Sequence, residues 1–380
     1  MLKKFEVKNF KNFNDWFVFD LTDTKSYAFN ADCVEDGIVK KALIYGPNGC
    51  GKTNLGRALF EIKTHLTDQE TNAFYESNYL NADSSAELAE FKYTFHICGA
   101  IVEYRYGKRS VKELVYESLL IDGKEVIAID RRESSLIHLD LEGTENFNRE
   151  LTDKNISAVK YVNNNSSGES DDLLSLSKFA SSLDLMYLNP YFNDGGDRSS
   201  PELTSRDILT GKNNSKKESL QSFEKFLNDA GVRCKLTTIM ANDHDILAFQ
   251  FENKAVNFFS IASAGTISLT HLYADILLHN IYSKKFIELG ISMFLFIDEF
   301  DAFFHHAASK FIVNTIRGID NCQAILTTHN TSIMSNDLLR PDCYFIMSES
   351  EIKPMHRFTD KELRKAHNIE KMYKAGAFNG

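Results

Sequence analysis

The sequence predicts an α/β fold with an antiparallel β subdomain and an inserted helical lobe, and three features carry that prediction. Gly46-Pro47-Asn48-Gly49-Cys50-Gly51-Lys52-Thr53 has the spacing of a P-loop: a glycine, four free positions, then Gly-Lys-Thr. Met293 to Ile297 is an apolar run without alternation, as a strand buried on both faces requires. Residues 91–130 instead alternate with a period of two, the pattern of half-buried antiparallel strands.

From the N-terminus, Phe5 and Val7, then Phe17, Phe19 and Leu21, describe a β-hairpin broken by Lys11-Asn12-Phe13-Asn14-Asp15. Trp16 and Val18 fall on the opposite face of its second strand, which suits cover on both sides. Val39 to Tyr45 is a short apolar strand, and Leu55, Ala58, Leu59 and Ile62 have helical spacing, so the P-loop joins a strand to a helix. Beyond the aperiodic stretch from Thr67 to Glu87, Phe91, Tyr93, Phe95 and Ile97 alternate, then Val102, Tyr104 and Tyr106. Asp122-Gly123 marks a tight turn between strand-like flanks, completing a meander beside the P-loop sheet.

Composition shifts near Arg131, and residues 131–230 are rich in Ser, Asn, Asp and Lys. Leu173, Leu176, Phe179, Ala180 and Leu183 fit one helix face, and Leu220, Phe223, Leu227 and Ala230 another. Gly195-Gly196 and Lys212-Asn213-Asn214 read as loops. This gives three parts: 1–130 with the P-loop and meander, 131–230 as a helical insertion, and 231–380 completing the core. In the last part come strands at Leu236–Ile239 and Ile246–Phe251, then Ser263-Ala264-Gly265-Thr266 opening a helix with Leu269, Leu272, Tyr273, Ile276 and Leu277 on one face. After Asp298-Glu299, helical sequence runs from Ala307 to Ile316. Two further strands follow, Ala324–Thr328 ending at His329, and Cys343–Met347.

Of the chain's residues, 43% are hydrophobic and 12% aromatic, enough for a packed core in one large α/β domain with an insertion, or in two or three domains. Lys and Arg number 43 against 53 Asp and Glu, so a generally basic nucleic-acid binder is excluded and only a local patch could serve. Lys212, Lys216, Lys217 and Lys225 are such a candidate, though a solvated helix face explains them more simply. Six scattered cysteines lack CxxC or metal-ligand spacing and fit free thiols in a reducing compartment. The N-terminus has no apolar signal core, no run reaches transmembrane length, and a cytoplasmic protein without a membrane partner is expected.

The chemistry converges on one place. A glycine-rich loop at a helix N-terminus presents backbone N–H groups to a polyphosphate. Gly46, Asn48, Gly49, Cys50, Gly51, Lys52, Thr53 and Asn54 would thus cradle the phosphates of a nucleotide, with Lys52 on the β- and γ-phosphates and Thr53 on Mg²⁺. Ligands of open α/β sheets lie beyond the carboxyl ends of strands, where Asp298, Glu299 and His329 also fall. Asp298 fits the second Mg²⁺-holding role, Glu299 the base that polarises the attacking water, and His329 a γ-phosphate contact.

In this order the motifs resemble an ABC-type ATPase, and more narrowly the RecF/SMC/OLD-like branch. The opening KKFEVKNFKNF, the Thr-Asn after the P-loop lysine, ASAGT, FIDEFDAFFHH and LTTHN carry the likeness, and residues 131–230 stand outside it. The closing LRKAHNIEKMYKAGAFNG resembles ATPases paired with an effector gene in bacterial phage defence, of PARIS-like and abortive-infection-L-like kinds. The resemblance implies an ATP-sandwich dimer or higher homo-oligomer, with Ser263 and Gly265 of one subunit facing the P-loop, Asp298, Glu299 and His329 of another. It also implies Asp301 in a loop crossing that interface, a separately encoded nuclease or toxin as partner, and, as the alternative, a RecF-like repair ATPase on DNA. A transporter ATPase fits less well, since ASAGT departs from Leu-Ser-Gly-Gly. No glutamine takes the place of the family's Q-loop residue; Gln69 comes too early. The insertion is too short for an SMC coiled coil, and the roughly fifty residues after His329 are too few for a TOPRIM nuclease.

Overall fold

The computed structural model describes residues 1–67, 76–97, 99–141, 144–165, 183–187, 201–210, 215–241, 243–274, 276 and 292–378. The chain opens with β1 (Leu2–Lys8) and β2 (Phe17–Asp20), then a small hairpin of β3 (Val34–Glu35) and β4 (Ile38–Val39). β5 (Lys41–Tyr45) leads through the P-loop into helix α1 (Lys52–Leu66). β6 (Ala89–Ile97), β7 (Ala100–Ser110), β8 (Glu113–Ile121), β9 (Lys124–Asp130) and β10 (His138–Leu139) follow, then a helix at Ala158–Asn165 and β11 (Leu183–Tyr187). Helices Pro201–Thr210 and Lys216–Asp229 precede β12 (Leu236–Ala241), β13 (His244–Gln250) and β14 (Ala255–Asn257). A helix over residues 264–274 comes before β15 (Met293–Asp298), and His306–Arg317 is helical before β16 (Cys322–Thr328). β17 (Tyr344–Met347), β18 (Ile352–Pro354) and a terminal helix Ile369–Lys374 close the chain.

The core sheet has the order β11-β15-β16-β5-β17-β18, parallel except for β18. Every residue of β5, β15 and β16 is buried, which accounts for their lack of alternation. β16 therefore lies between the P-loop strand and β15, and the polar ends of all three emerge along one edge. The fold is α/β, as expected.

The second sheet is antiparallel, with the order β10-β9-β8-β7-β6-β1-β2. Its alternating strands turn Phe91, Tyr93, Phe95, Val102, Tyr104 and Tyr106 inward. Asp122 and Gly123, at φ 48° and 80°, turn β8 into β9 with both central residues left-handed, as a type I′ hairpin requires. The opening hairpin joins this sheet rather than that of the P-loop, and Trp16 and Val18 on its outer face are half-buried. Gln323 of β16 ties the sheets together: its buried amide accepts from Leu2 N at 2.8 Å and donates to the carbonyls of Leu2 and Val39 at 2.9 and 2.8 Å.

Helix α1 is packed between the sheets, with Phe60 against Phe294 and the Ala58 carbonyl accepting from Tyr93 Oη at 2.9 Å. Polar groups on so enclosed a helix must find partners. Glu61 meets Lys108 at 2.8 Å, both side chains 1% exposed or less, and also accepts from Tyr79 Oη at 2.5 Å. His65 lies 2.9 Å from Tyr104 Oη, which donates to Glu117; Glu117 in turn accepts from Ser157 and from Ala158 N, at the start of the helix Ala158–Asn165.

Within residues 131–230 the structure departs from a purely helical reading. Leu183 begins β11, paired in parallel with β15, instead of ending a helix face. A short apolar run has no decisive period, and the register with Phe294 to Asp298 settles it as a strand. Leu173, Leu176, Phe179 and Ala180, like Gly195-Gly196 and Lys212-Asn213-Asn214, lie outside the described residues. The helix Lys216–Asp229 does form, capped by Ser215, with Phe223 and Leu227 buried. Phe223 and Phe226 pack at a tilt against Tyr273 of the helix over 264–274, each with its ring centroid 4.9 Å from that of Tyr273, so this layer supports the Ser263 segment.

Candidate nucleotide site

The P-loop begins where β5 leaves the sheet. Gly51 takes φ 102°, the left-handed conformation that lets the chain turn straight into α1, and a Cβ there would meet Asn12 Nδ2 at 2.4 Å. Gly46 lies under the Met347 carbonyl, which a Cβ would reach at 2.5 Å. Asn48, Gly49, Gly51, Lys52, Thr53 and Asn54 line a cavity of about 260 Å³, with Glu299 and His329 on its other wall. Of the predicted P-loop, acidic and histidine residues, Gly46, Cys50 and Asp298 lie behind this lining, Cys50 with Sγ 4.0 Å from Lys52 Nζ, and the rest are brought together on it. Burial raises the Cys50 thiol pKa.

Lys52 Nζ rests on the Gly46 and Pro47 carbonyls at 3.0 and 3.1 Å, and burial lowers its pKa. Those carbonyls hold the ammonium inside the loop, where an anionic phosphate would be a stronger partner. Thr53 Oγ1 donates to Asp298 Oδ2 at 2.6 Å. The hydroxyl and carboxylate so paired form the hard, all-oxygen donor set that suits Mg²⁺ held jointly with phosphate, so the residues present fit that ion. Glu299 follows at φ 45°, an unusual conformation for a non-glycine residue, and is exposed at the cavity. Partial desolvation, then the Lys52 charge, lowers the His329 pKa.

Three residues that make contacts at the site were not among those predicted. Thr327 Oγ1 donates to Asp298 Oδ1 at 2.6 Å and accepts from Glu299 N at 2.8 Å. Thr328 Oγ1 donates to Asp301 Oδ1 at 2.7 Å. Asn12 Oδ1 accepts from Asn54 Nδ2 at 2.7 Å, bringing the loop of the opening hairpin onto α1. Threonines before His329 and an asparagine in a turn are visible in sequence, but nothing in their spacing says what they touch.

Ser263 and Gly265 are not part of the cavity lining. Ser263 caps the helix over 264–274, its Oγ accepting from Thr266 N at 3.2 Å. Gly265 is packed within its own chain: a Cβ would come 2.8 Å from the Phe303 carbonyl, in the turn that follows Glu299. Asp301, expected to reach across an interface, is turned inward to Thr328, and burial raises its pKa. Of the basic candidates, Lys216 pairs with Asp245 and Lys225 with Asp229.

Residues 41–335 match a protein family described as "AAA domain, putative AbiEii toxin, Type IV TA system". No curated protein matches the sequence. Among solved structures, the SMC head domain from Thermotoga maritima is similar at 14% identity and a TM-score of 0.41, over 93% of this chain and 98% of that one, a likeness too distant to bear on function.

Proposed function

Because the chain belongs to the family of AAA domains described with the AbiEii toxin of type IV toxin–antitoxin systems, we propose that it is a Mg²⁺-dependent ATPase controlling a separately encoded effector. The observation that carries the ATPase reading is the Thr53–Asp298 contact at 2.6 Å, with Lys52, Glu299 and His329 around one cavity. The loop amides and Lys52 would bind the phosphates, Thr53 and Asp298 would hold Mg²⁺, Glu299 would orient and deprotonate water, and His329 would contact the terminal phosphate. The ion, when bound, supplies charge neutralisation to the phosphate oxygens. Ser263 is exposed at a helix N-terminus outside the cavity, where a second subunit could meet it, and on that basis we read the closed ATPase as an ATP-sandwiched dimer.

Biologically, we place it in the cytoplasm as the control subunit of a two-gene phage-defence pair, holding a nuclease or toxin until infection. The RecF-like alternative draws no support from Lys216 and Lys225, whose charges are engaged by Asp245 and Asp229.

Two experiments test this. Purified wild type should bind and hydrolyse ATP with Mg²⁺, and Lys52→Ala should lose both; unchanged affinity in a direct nucleotide titration would remove the P-loop from the site. Expressed alone, the chain should leave cells viable, whereas the adjacent gene without it should be toxic. Toxicity of this chain alone would transfer the effector role to it.

A further inference from the structure

We propose that Thr327 is the positioning residue of this site: its one hydroxyl fixes both the Asp298 carboxylate and the backbone of Glu299. The inference rests on the ATPase reading above and adds to it a residue outside the cavity lining.

The argument starts where the parallel ladder ends. Ile297 pairs with Leu326, so the next residues, Asp298 and Thr327, stand side by side as β15 gives out. Glu299 then leaves at φ 45°, which takes its N–H out of the ladder. A backbone donor at such a place must be paired or bear the cost of desolvation. Thr327 supplies both replacement acceptors, its Oγ1 to Glu299 N at 2.8 Å and its carbonyl to Phe300 N at 3.1 Å. The left-handed turn that aims Glu299 at the cavity is therefore held by one residue of the neighbouring strand.

The same hydroxyl sets the carboxylate. A threonine hydroxyl has one hydrogen. Because Oγ1 receives the Glu299 N–H, that hydrogen is free to go to Asp298 Oδ1, at 2.6 Å. Thr53 Oγ1 donates to the other oxygen at 2.6 Å, so the carboxylate is gripped from both ends, by the P-loop and by β16. Thr327 is fully buried, and no water can replace it without rearrangement. Thr53 keeps its oxygen lone pairs for a cation, while Thr327 carries only the orienting load.

The test compares Thr327→Val, which keeps the shape and removes the hydroxyl, with Thr327→Ser, which keeps the hydroxyl. Loss of a hydrogen bond to a charged group should lower kcat by about 10- to 100-fold in the valine variant and raise the Mg²⁺ concentration needed for half-maximal activity. Affinity for a fluorescent ATP analogue in EDTA should stay within about threefold, since Lys52 and the loop amides are untouched. Thr327→Ser should recover most of the turnover. Should the valine protein not fold, Thr327→Cys provides the comparison: close to serine in shape, it is a poor donor and should behave as the valine variant is expected to. Wild-type turnover and Mg²⁺ dependence in the valine or cysteine protein would overturn the proposal, as would an EDTA affinity falling in step with kcat. If wild type binds nucleotide without hydrolysing it, the ATPase reading fails while the Mg²⁺-dependent gain in affinity, present in wild type and reduced in the valine or cysteine protein, still decides the role of Thr327. Absence of nucleotide binding in wild type would overturn both.

Discussion

Replacing Glu299 by Gln isolates the chemical step. Glu299 is exposed at the cavity and its backbone, at φ 45°, is fixed through Glu299 N and Thr327 Oγ1 at 2.8 Å. Glutamine has the same Cβ and the same length, so the roughly 1–2 kcal/mol cost of the left-handed conformation is common to both proteins. An exposed substitution of this kind should leave folding stability within about 0.5 kcal/mol. What changes is the capacity to take a proton from water. Loss of a general base lowers turnover by about 10²- to 10⁴-fold, equivalent to roughly 2.7–5.5 kcal/mol of barrier. Nucleotide affinity should hold or improve, because a negative charge next to the terminal phosphate is removed. The assay is phosphate release at saturating ATP beside a direct binding titration, with size-exclusion chromatography in ATP to detect accumulation of the closed dimer. A kcat within about threefold of wild type would remove Glu299 from the base role.

Two stability predictions follow from the packing of α1. Lys108→Met would leave the Glu61 carboxylate, now 2.8 Å from that ammonium, buried without its cation, at a cost of about 3–5 kcal/mol. Urea unfolding should report it, and Lys108→Met combined with Glu61→Gln should recover most of the loss; a single-mutant change under about 1 kcal/mol would contradict the burial of the pair. Burial, and then the Lys108 charge, hold the His65 pKa well below its ordinary value. The unfolded chain therefore takes up a proton that the native chain refuses, and stability present above about pH 6.5 is lost as pH falls, by up to about 1.4 kcal/mol per pH unit. Unfolding midpoints at neutral and mildly acidic pH measure this, and His65→Phe should flatten the slope.

How much of this was legible in sequence follows from which interactions are local. The strand, loop and helix around Gly46 to Thr53 were readable because glycines, an apolar run and helical spacing are contiguous signals. The alternation of Phe91 to Ile97 fixed the meander for the same reason. β11 was missed because a short segment becomes a strand only through pairing with β15, far along the chain. Asp298, Glu299 and His329 could be placed together by the rule of strand ends, whereas the grip of Thr327 depends on strand order, with β16 between β5 and β15, and no spacing encodes that order. The resemblance implies Asp301 in a loop crossing a subunit interface, while the isolated chain gives it a nearer partner in Thr328.

The composite site is tested most directly by mixing two dead proteins. Gly265 is a poor place for the second lesion, since any side chain there presses on the Phe303 carbonyl of its own chain. Ser263→Asp serves better: aspartate caps a helix as well as serine does, so the Thr266 N contact survives while a carboxylate is set before the partner's terminal phosphate. Lys52→Ala and Ser263→Asp should each be inactive alone. Mixed in equal amounts, randomly paired dimers hold one intact P-loop opposite one intact Ser263 in about a quarter of all sites, and turnover should return to about that fraction of wild type. Recovery at that level is the predicted result, and a mixture that forms mixed dimers yet stays inactive would contradict the sandwich.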